Sequence, residues 1–277
     1  MKPLRLPVQL LALLLLSVAG AGSAADKPQP IALGQSYTVQ SKLLGQNRPL
    51  NVYLPPGYDD SKATYPVLYL LDGGVDEDFI HIAGIASLAA DWRNIREFIV
   101  IGVASLDRYH ELDHPSAVPA EQQRWPTAGG SAQFREFLAK ELIPYVQQHF
   151  RVSDESVLMG ESAAGLFVTE TFLRQPALFN GYIAISPSLW WDGQSLAKAA
   201  PGLLATANLH NKRLYLALGD EGGEMEDGVN KLVAAVKAAA PADFHWSYTP
   251  MPQESHSTIY HPAALAALRQ FFVYPPR

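Results

Sequence analysis

At 277 residues, with 48% hydrophobic and 17% charged residues, the chain has the composition of a globular protein with room for a sizeable core. Its 27 acidic against 21 basic residues give a net charge of −6 at pH 7, and no run of Lys or Arg forms the stripe that a nucleic-acid surface needs. Cysteine is absent, which excludes disulfides, thiolate metal sites and cysteine lipidation.

The first 25 residues read as a leader, not as part of the fold. Lys2 and Arg5 precede an apolar run through Leu16 and Val18, and small residues follow, with Ser23 and Ala25 at −3 and −1 before Asp26. The run is short of the roughly 20 apolar residues that a membrane-spanning helix requires, so a cleaved signal is favoured over an uncleaved anchor. Export to the periplasm or the exterior follows, without stable membrane association. The 21 prolines and 20 glycines are scattered, leaving residues 26–277 as a single domain with no long linker.

In chain order, residues 35–59 alternate like two antiparallel strands around a Gly45-Gln46-Asn47 turn, ending at Pro55-Pro56-Gly57. Residues 65–74 and 97–105 are continuous apolar runs of the kind buried on both faces of a sheet. Residues 131–150 carry Phe134, Phe137, Leu138, Leu142, Ile143 and Val146 at helical spacing, with Ser131 as N-cap. Further buried-strand runs lie at 156–159, 181–186 and 213–219, and a last strand at 244–250. Helices are expected near 163–175, 193–205, 227–239 and 262–272. This alternation predicts an α/β fold: a mostly parallel sheet covered on both faces, with antiparallel strands at its N-terminal edge.

Chemistry in such a sheet belongs beyond the carboxyl ends of its strands. After the strand ending at Met159 the chain reads Gly160-Glu161-Ser162-Ala163-Ala164-Gly165. A strand turning into a helix within about two residues strains the central residue and exposes its side chain, and only small residues fit at −2 and +2. Here those are Gly160 and Ala164, where the usual nucleophile elbow has two glycines. The Ser162 hydroxyl is thus presented outward, and the Ala163 N–H lies at a helix start, suited to holding an oxyanion. The alternative is a close helix–strand contact with an idle serine.

A serine nucleophile needs a base. His256, after the last strand, has the right place in the order serine, acid, histidine. His261 abuts Pro262 and reads as a helix-entry residue, and the other six histidines have no matching position. For the acid, Asp220, Glu221 and Glu224 all follow the strand at 213–219, and Glu221 is preferred. A second oxyanion donor is assigned to the Gly74 N–H, in the Asp72-Gly73-Gly74 turn after the first buried strand.

At this point the sequence resembles the esterase family of α/β-hydrolases that includes esterase D-like enzymes, feruloyl esterases, the mycolyltransferase antigens and the siderophore-trilactone esterases. The resemblance is carried by RPLNVYLPPGYD (48–59), YPVLYLLDG (65–73), DRYHELDHP (107–115), FLAKELIPYVQQHFRV (137–152), GESAAG (160–165), ISPSLWWDG (185–193) and ESHSTIYHPAALAALRQFF (254–272). The SPSLWW and ESH stretches are most similar to the siderophore-esterase branch. The resemblance implies Ser162 and His256 as the catalytic pair, with Ala163 and a residue at Gly74 as oxyanion donors. Glu161 stands where the family usually has His, and resembles the Gly-Glu-Ser form of other carboxylesterases.

Trp190 and Trp191 follow a strand and are expected at the same rim, as a wall for an aryl acyl group, with one of the two capping the core. Arg108 is placed either on an anionic substrate or in a pair with Glu111 or Asp113. The expectation is therefore an exported serine carboxylic-ester hydrolase acting on a small-molecule ester, siderophore-type or aryl, with no metal or cofactor. The alternatives are an acyltransferase using the same acyl-enzyme, or a non-catalytic exported binding protein on the same fold.

Overall fold

The computed structural model describes residues 30–274; the leader assigned to residues 1–25 lies outside them. Eight strands form one sheet: β1 (Gln35–Ser41), β2 (Gln46–Tyr53), β3 (Tyr65–Leu71), β4 (Ile99–Val103), β5 (Val152–Glu161), β6 (Gly181–Ile185), β7 (Arg213–Gly219) and β8 (His245–Met251). Their order is β1-β2-β4-β3-β5-β6-β7-β8. β1 pairs antiparallel with β2, and β2 with β4; β3 to β8 are mutually parallel. The β1–β2 turn covers residues 42–45, with Gly45 at φ +64°.

The inner strands are hydrophobic along their whole length because both faces are covered. Val67, Tyr69 and Leu71 of β3 enter one apolar cluster, while Leu68 and Leu70 enter the other. The first cluster lies under α4 (Ser131–Phe137), α5 (Ile143–His149), α6 (Ala163–Arg174), α7 (Trp191–Leu204) and α8 (Gly223–Ala239). The second lies under α1 (Phe79–Asp91) and α9 (Tyr260–Phe271). Two short helices, α2 (Arg108–Leu112) and α3 (Pro119–Arg124), stand in the connection from β4 to α4.

The helix expected over 131–150 is interrupted by a π-helical turn, Leu138–Leu142, between α4 and α5. Pro144 explains it. Proline lacks the N–H for an i→i−4 bond and its ring crowds that carbonyl, so the chain widens by one residue just before it. α7 also departs from expectation: Asp192, Gly193 and Gln194 have φ of 50°, 56° and 65°. The Asp192 carboxylate accepts the Ala117 N–H at 2.6 Å, which ties this left-handed turn to the 116–121 segment.

The crossover from β3 to β4 runs through α1 on one face, and the return from β4 to β5 runs through α4 and α5 on the other. The strand order therefore reverses at β3. The carboxyl ends of β3 and β5 open a crevice there, the place where doubly covered sheets bind ligands.

Candidate active site

Ser162 lies between the end of β5 and the start of α6, with φ 59° and ψ −119°. The angles are unfavourable for a residue with a Cβ, and neighbouring bonds hold them. The Ser162 N–H donates to Ile185 O at 3.0 Å, and its carbonyl accepts from Leu166 N at 2.9 Å and Ser188 N at 3.0 Å. Close packing also demands the small residues around it. A Cβ on Gly160 would stand 2.6 Å from Ala164 Cβ, and one on Gly165 would stand 2.9 Å from Ile185 O.

The loop after β8 brings His256 to this hydroxyl, with Nε2 3.0 Å from Ser162 Oγ. The loop after β7 brings Glu221, whose Oε2 is 2.7 Å from His256 Nδ1. Glu221 Oε1 accepts a hydrogen bond from Ser186 Oγ. Asp220 and Glu224 remain exposed on either side. Three strand ends thus converge: β5 supplies the hydroxyl, β7 the carboxylate and β8 the imidazole. His261 instead places Nδ1 3.0 Å from His81 Nε2.

The electrostatics suit proton transfer. The bond to Glu221 raises the His256 pKa above its ordinary 6.5; burial opposes this, and the Glu221 and Glu161 charges add to the rise. Burial pushes the Glu221 carboxyl up, but the hydrogen bonds from His256 and Ser186 prevail and hold it below the usual carboxylate range. Its side chain is 5% exposed, against 44% for that of His256. A carboxylate on Nδ1 fixes the tautomer that leaves the Nε2 lone pair facing the hydroxyl.

The expected oxyanion donors differ from each other. The Ala163 N–H stands in the first turn of α6, where no preceding helical carbonyl can accept it. The Gly74 N–H is engaged: it donates to Glu77 Oε2 at 2.6 Å. Of the two expected donors, one is therefore open and the other occupied.

Trp190 is half-buried and borders a cavity of about 480 Å³, together with Glu221, Met225 and His256. Trp191 is 2% exposed, and its Nε1–H donates to His114 O at 2.7 Å. It is the core-capping member of the pair. Trp125, unsingled in the sequence, lies 5.7 Å from Trp190 and 5.4 Å from Tyr109, ring centre to ring centre. Arg108 pairs with neither Glu111 nor Asp113. Its Nε and Nη2 clamp the Asp72 carboxylate at 2.7–2.9 Å. Glu111 belongs instead to Arg48, at 2.5 Å, with the arginine side chain wholly buried.

The sequence profile described as "Putative esterase" matches residues 41–262. The chain belongs to this esterase family. The esterase is similar to ferri-bacillibactin esterase BesA of Bacillus subtilis (strain 168), 23% identical over 254 residues, 83% of this chain and 86% of that protein. A shorter stretch, 106 residues covering 37% of this chain and 34% of the other, is 31% identical to a siderophore enterobactin esterase of Emericella nidulans. Among solved structures, an IroE-like serine hydrolase from Shewanella oneidensis aligns with a TM-score of 0.80 at 25% identity, covering 86% of this chain and 80% of that one. The BES protein from Bacillus cereus aligns with a TM-score of 0.77 at 23% identity, covering 90% and 100%. The fold of the esterase is that of the α/β-hydrolases.

Several residues near the esterase's Ser162 had no sequence signal of their own. Ser188 Oγ lies 3.3 Å from Ser162 Oγ. Ser186 and Ser188 sit in the SPSLWW stretch, beside the two tryptophans. Burial raises the Glu161 carboxyl to about 7; the His256 and Arg108 charges pull it down, and those of Asp78 and Glu221 push it up.

Proposed function

We propose that the chain is an exported serine esterase that cleaves carboxylic esters through an acyl-enzyme on Ser162. The observation that carries this reading is the continuous relay Glu221 Oε2–His256 Nδ1 at 2.7 Å and His256 Nε2–Ser162 Oγ at 3.0 Å. His256 Nε2 takes the hydroxyl proton as Oγ bonds to the ester carbonyl carbon. The negative oxygen of the tetrahedral intermediate is held by the Ala163 N–H, and by the Gly74 N–H once Glu77 yields it. The carbonyl re-forms, the ester C–O bond breaks, and His256 protonates the departing alkoxide. Water, deprotonated by the same imidazole, attacks the acyl-enzyme and releases the acid. Ser188 holds the resting hydroxyl, and Ser186 holds Glu221.

For the substrate we infer an ester with an aryl acyl group. Trp190, backed by Trp125 and Tyr109, offers a face for an aromatic ring beside His256. Relatives are named for enterobactin and ferri-bacillibactin, and one is an endo-1,4-beta-xylanase/feruloyl esterase. If a ferric siderophore is the substrate, its iron enters and leaves with it. Arg108, by clamping Asp72, positions the loop that bears Tyr109 and leaves its guanidinium at the edge of the crevice. The leader in residues 1–25 supports export of the mature domain 26–277. Among the described residues no helix is long and apolar enough to cross a membrane.

The test is covalent labelling with a fluorophosphonate, followed by mapping the modified peptide and by a hydrolysis screen over p-nitrophenyl, feruloyl and catecholate trilactone esters. Modification at Ser162, lost in Ser162→Ala, is expected. An unlabelled wild-type protein that still hydrolyses esters would refute the serine mechanism.

A further inference from the structure

We propose that Glu77 is a positioning residue that withholds the second oxyanion donor, so that acylation at Ser162 requires its carboxylate to leave the Gly74 N–H. The inference rests on the serine-esterase reading above and adds a control to it.

Register places the contact beside the nucleophile. Leu70 of β3 lies opposite Met159 of β5 in parallel pairing. Beyond the strand ends, Arg108 Nη2 donates to Asp72 Oδ2 at 2.7 Å and to Glu161 O at 3.4 Å, which ties the turn bearing Gly74 to the residue that precedes Ser162. Gly74 itself is buried at the mouth of the crevice. Its N–H donates to Glu77 Oε2 at 2.6 Å, and the Ser105 N–H reaches the same oxygen at 3.4 Å. In return, Glu77 N–H donates to Gly74 O at 3.2 Å. The two bonds close a tight turn just before the N-cap of α1, Asp78. Glycine adds no side-chain acceptor, so the glutamate alone occupies the site.

A carboxylate oxygen presents to an N–H an anionic acceptor, as a tetrahedral oxyanion does. The two compete for one donor, and when both are present they repel. Glu77 has no cation of its own among the described ion pairs. Its charged neighbours are Asp72, Asp76 and Asp78, and Arg108 is spent on Asp72. Burial, then the bond from Gly74, then the charge on Asp72 act on its pKa, and the balance is upward. A proton on Glu77 therefore comes more readily than on a surface glutamate, and removes the competing charge.

The test compares wild type, Glu77→Gln and Glu77→Asp in fluorophosphonate labelling and in p-nitrophenyl ester hydrolysis from pH 6 to 9. Glutamine keeps an acceptor for the turn and removes the charge. Aspartate keeps the charge but is one methylene short of Gly74. Removing one oxyanion donor typically costs about 100- to 1000-fold; partial release is expected to raise kcat/KM and the labelling rate of Glu77→Gln by about tenfold at pH 9. The gain narrows as pH falls, because the raised pKa lets the wild-type carboxyl take up its proton sooner than an ordinary glutamate would, and Glu77→Asp falls between the two. A role only in closing the turn would lower Tm in both variants without a pH-dependent gain. Equal or slower labelling of Ser162 in both variants at every pH overturns the role of Glu77 alone. Failure of all three proteins to label at Ser162 overturns the serine mechanism and this control with it.

Discussion

Gly160→Ala isolates the part of the elbow that packing alone imposes. The added Cβ would lie 2.6 Å from Ala164 Cβ, 2.7 Å from Ala164 C and 2.9 Å from its carbonyl oxygen. Carbon atoms rest at about 3.5–4.0 Å, so the first turn of α6 has to retreat from β5 by roughly 1 Å. Two of the three contacts are helix backbone, and no rotamer change relieves them. Overpacking of this size costs about 1–3 kcal/mol, which lowers Tm by roughly 3–10 °C in a chain of this length. The retreating turn carries the Ser162 hydroxyl and the Ala163 N–H, and a misplacement near 1 Å costs about 100-fold in rate. Thermal melts and kcat/KM on a p-nitrophenyl ester measure both effects. Adding Ala164→Gly removes only the 2.6 Å contact and leaves the two backbone contacts, so rescue stays below about tenfold. The reasoning fails if Gly160→Ala melts and turns over like wild type, or if the second substitution restores full activity.

Other outcomes follow from the same geometry. Ser162→Ala and His256→Ala each lose at least about a thousandfold in kcat, with Glu221→Ala losing less; a larger loss in Glu224→Ala would move the acid along the loop. His256 accepts the proton only when neutral, so its raised pKa puts the acid limb of kcat/KM above pH 6.5. Glu221→Gln removes the main cause and shifts that limb downward, and a limb that stays in place argues against the pairing. Trp191→Ala, at a site 2% exposed, costs about 3–5 kcal/mol. Trp190→Ala leaves Tm nearly unchanged and raises KM for aryl esters more than for acetate; equal effects on both esters would remove its aryl role. Asp113 is 2% exposed with its Oδ1 unpartnered, and burial raises its pKa from 3.8 to about 7. The folded state then binds the extra proton, so stability declines as pH rises across that window. Three units correspond to a ceiling of about 4 kcal/mol. Asp113→Asn should raise Tm at pH 8 and have little effect at pH 4, and an unchanged Tm at pH 8 would refute the burial argument.

The amino-acid order by itself determined the alternation of strands and helices, because hydrophobic periodicity is a local property. It also pointed to the elbow, because small residues stand at −2 and +2 of Ser162, and it ordered serine, acid and histidine along the chain. α1 escaped it: Phe79–Asp91 carries five alanines and glycines among its thirteen residues and has no capping side chain at Asp78. Only the tertiary structure decided the rest. Which of Asp220, Glu221 and Glu224 faces His256 depends on how one loop leaves β7. Arg48 was ordinary strand sequence until folding buried it against Glu111, 63 residues away. The Gly74 N–H belonged to a turn open to any acceptor, and the fold of the segment leading into α1 gave it to Glu77. In each case the deciding quantity is a distance between segments remote in the chain, set by the packing of whole strands and helices, which no local pattern encodes.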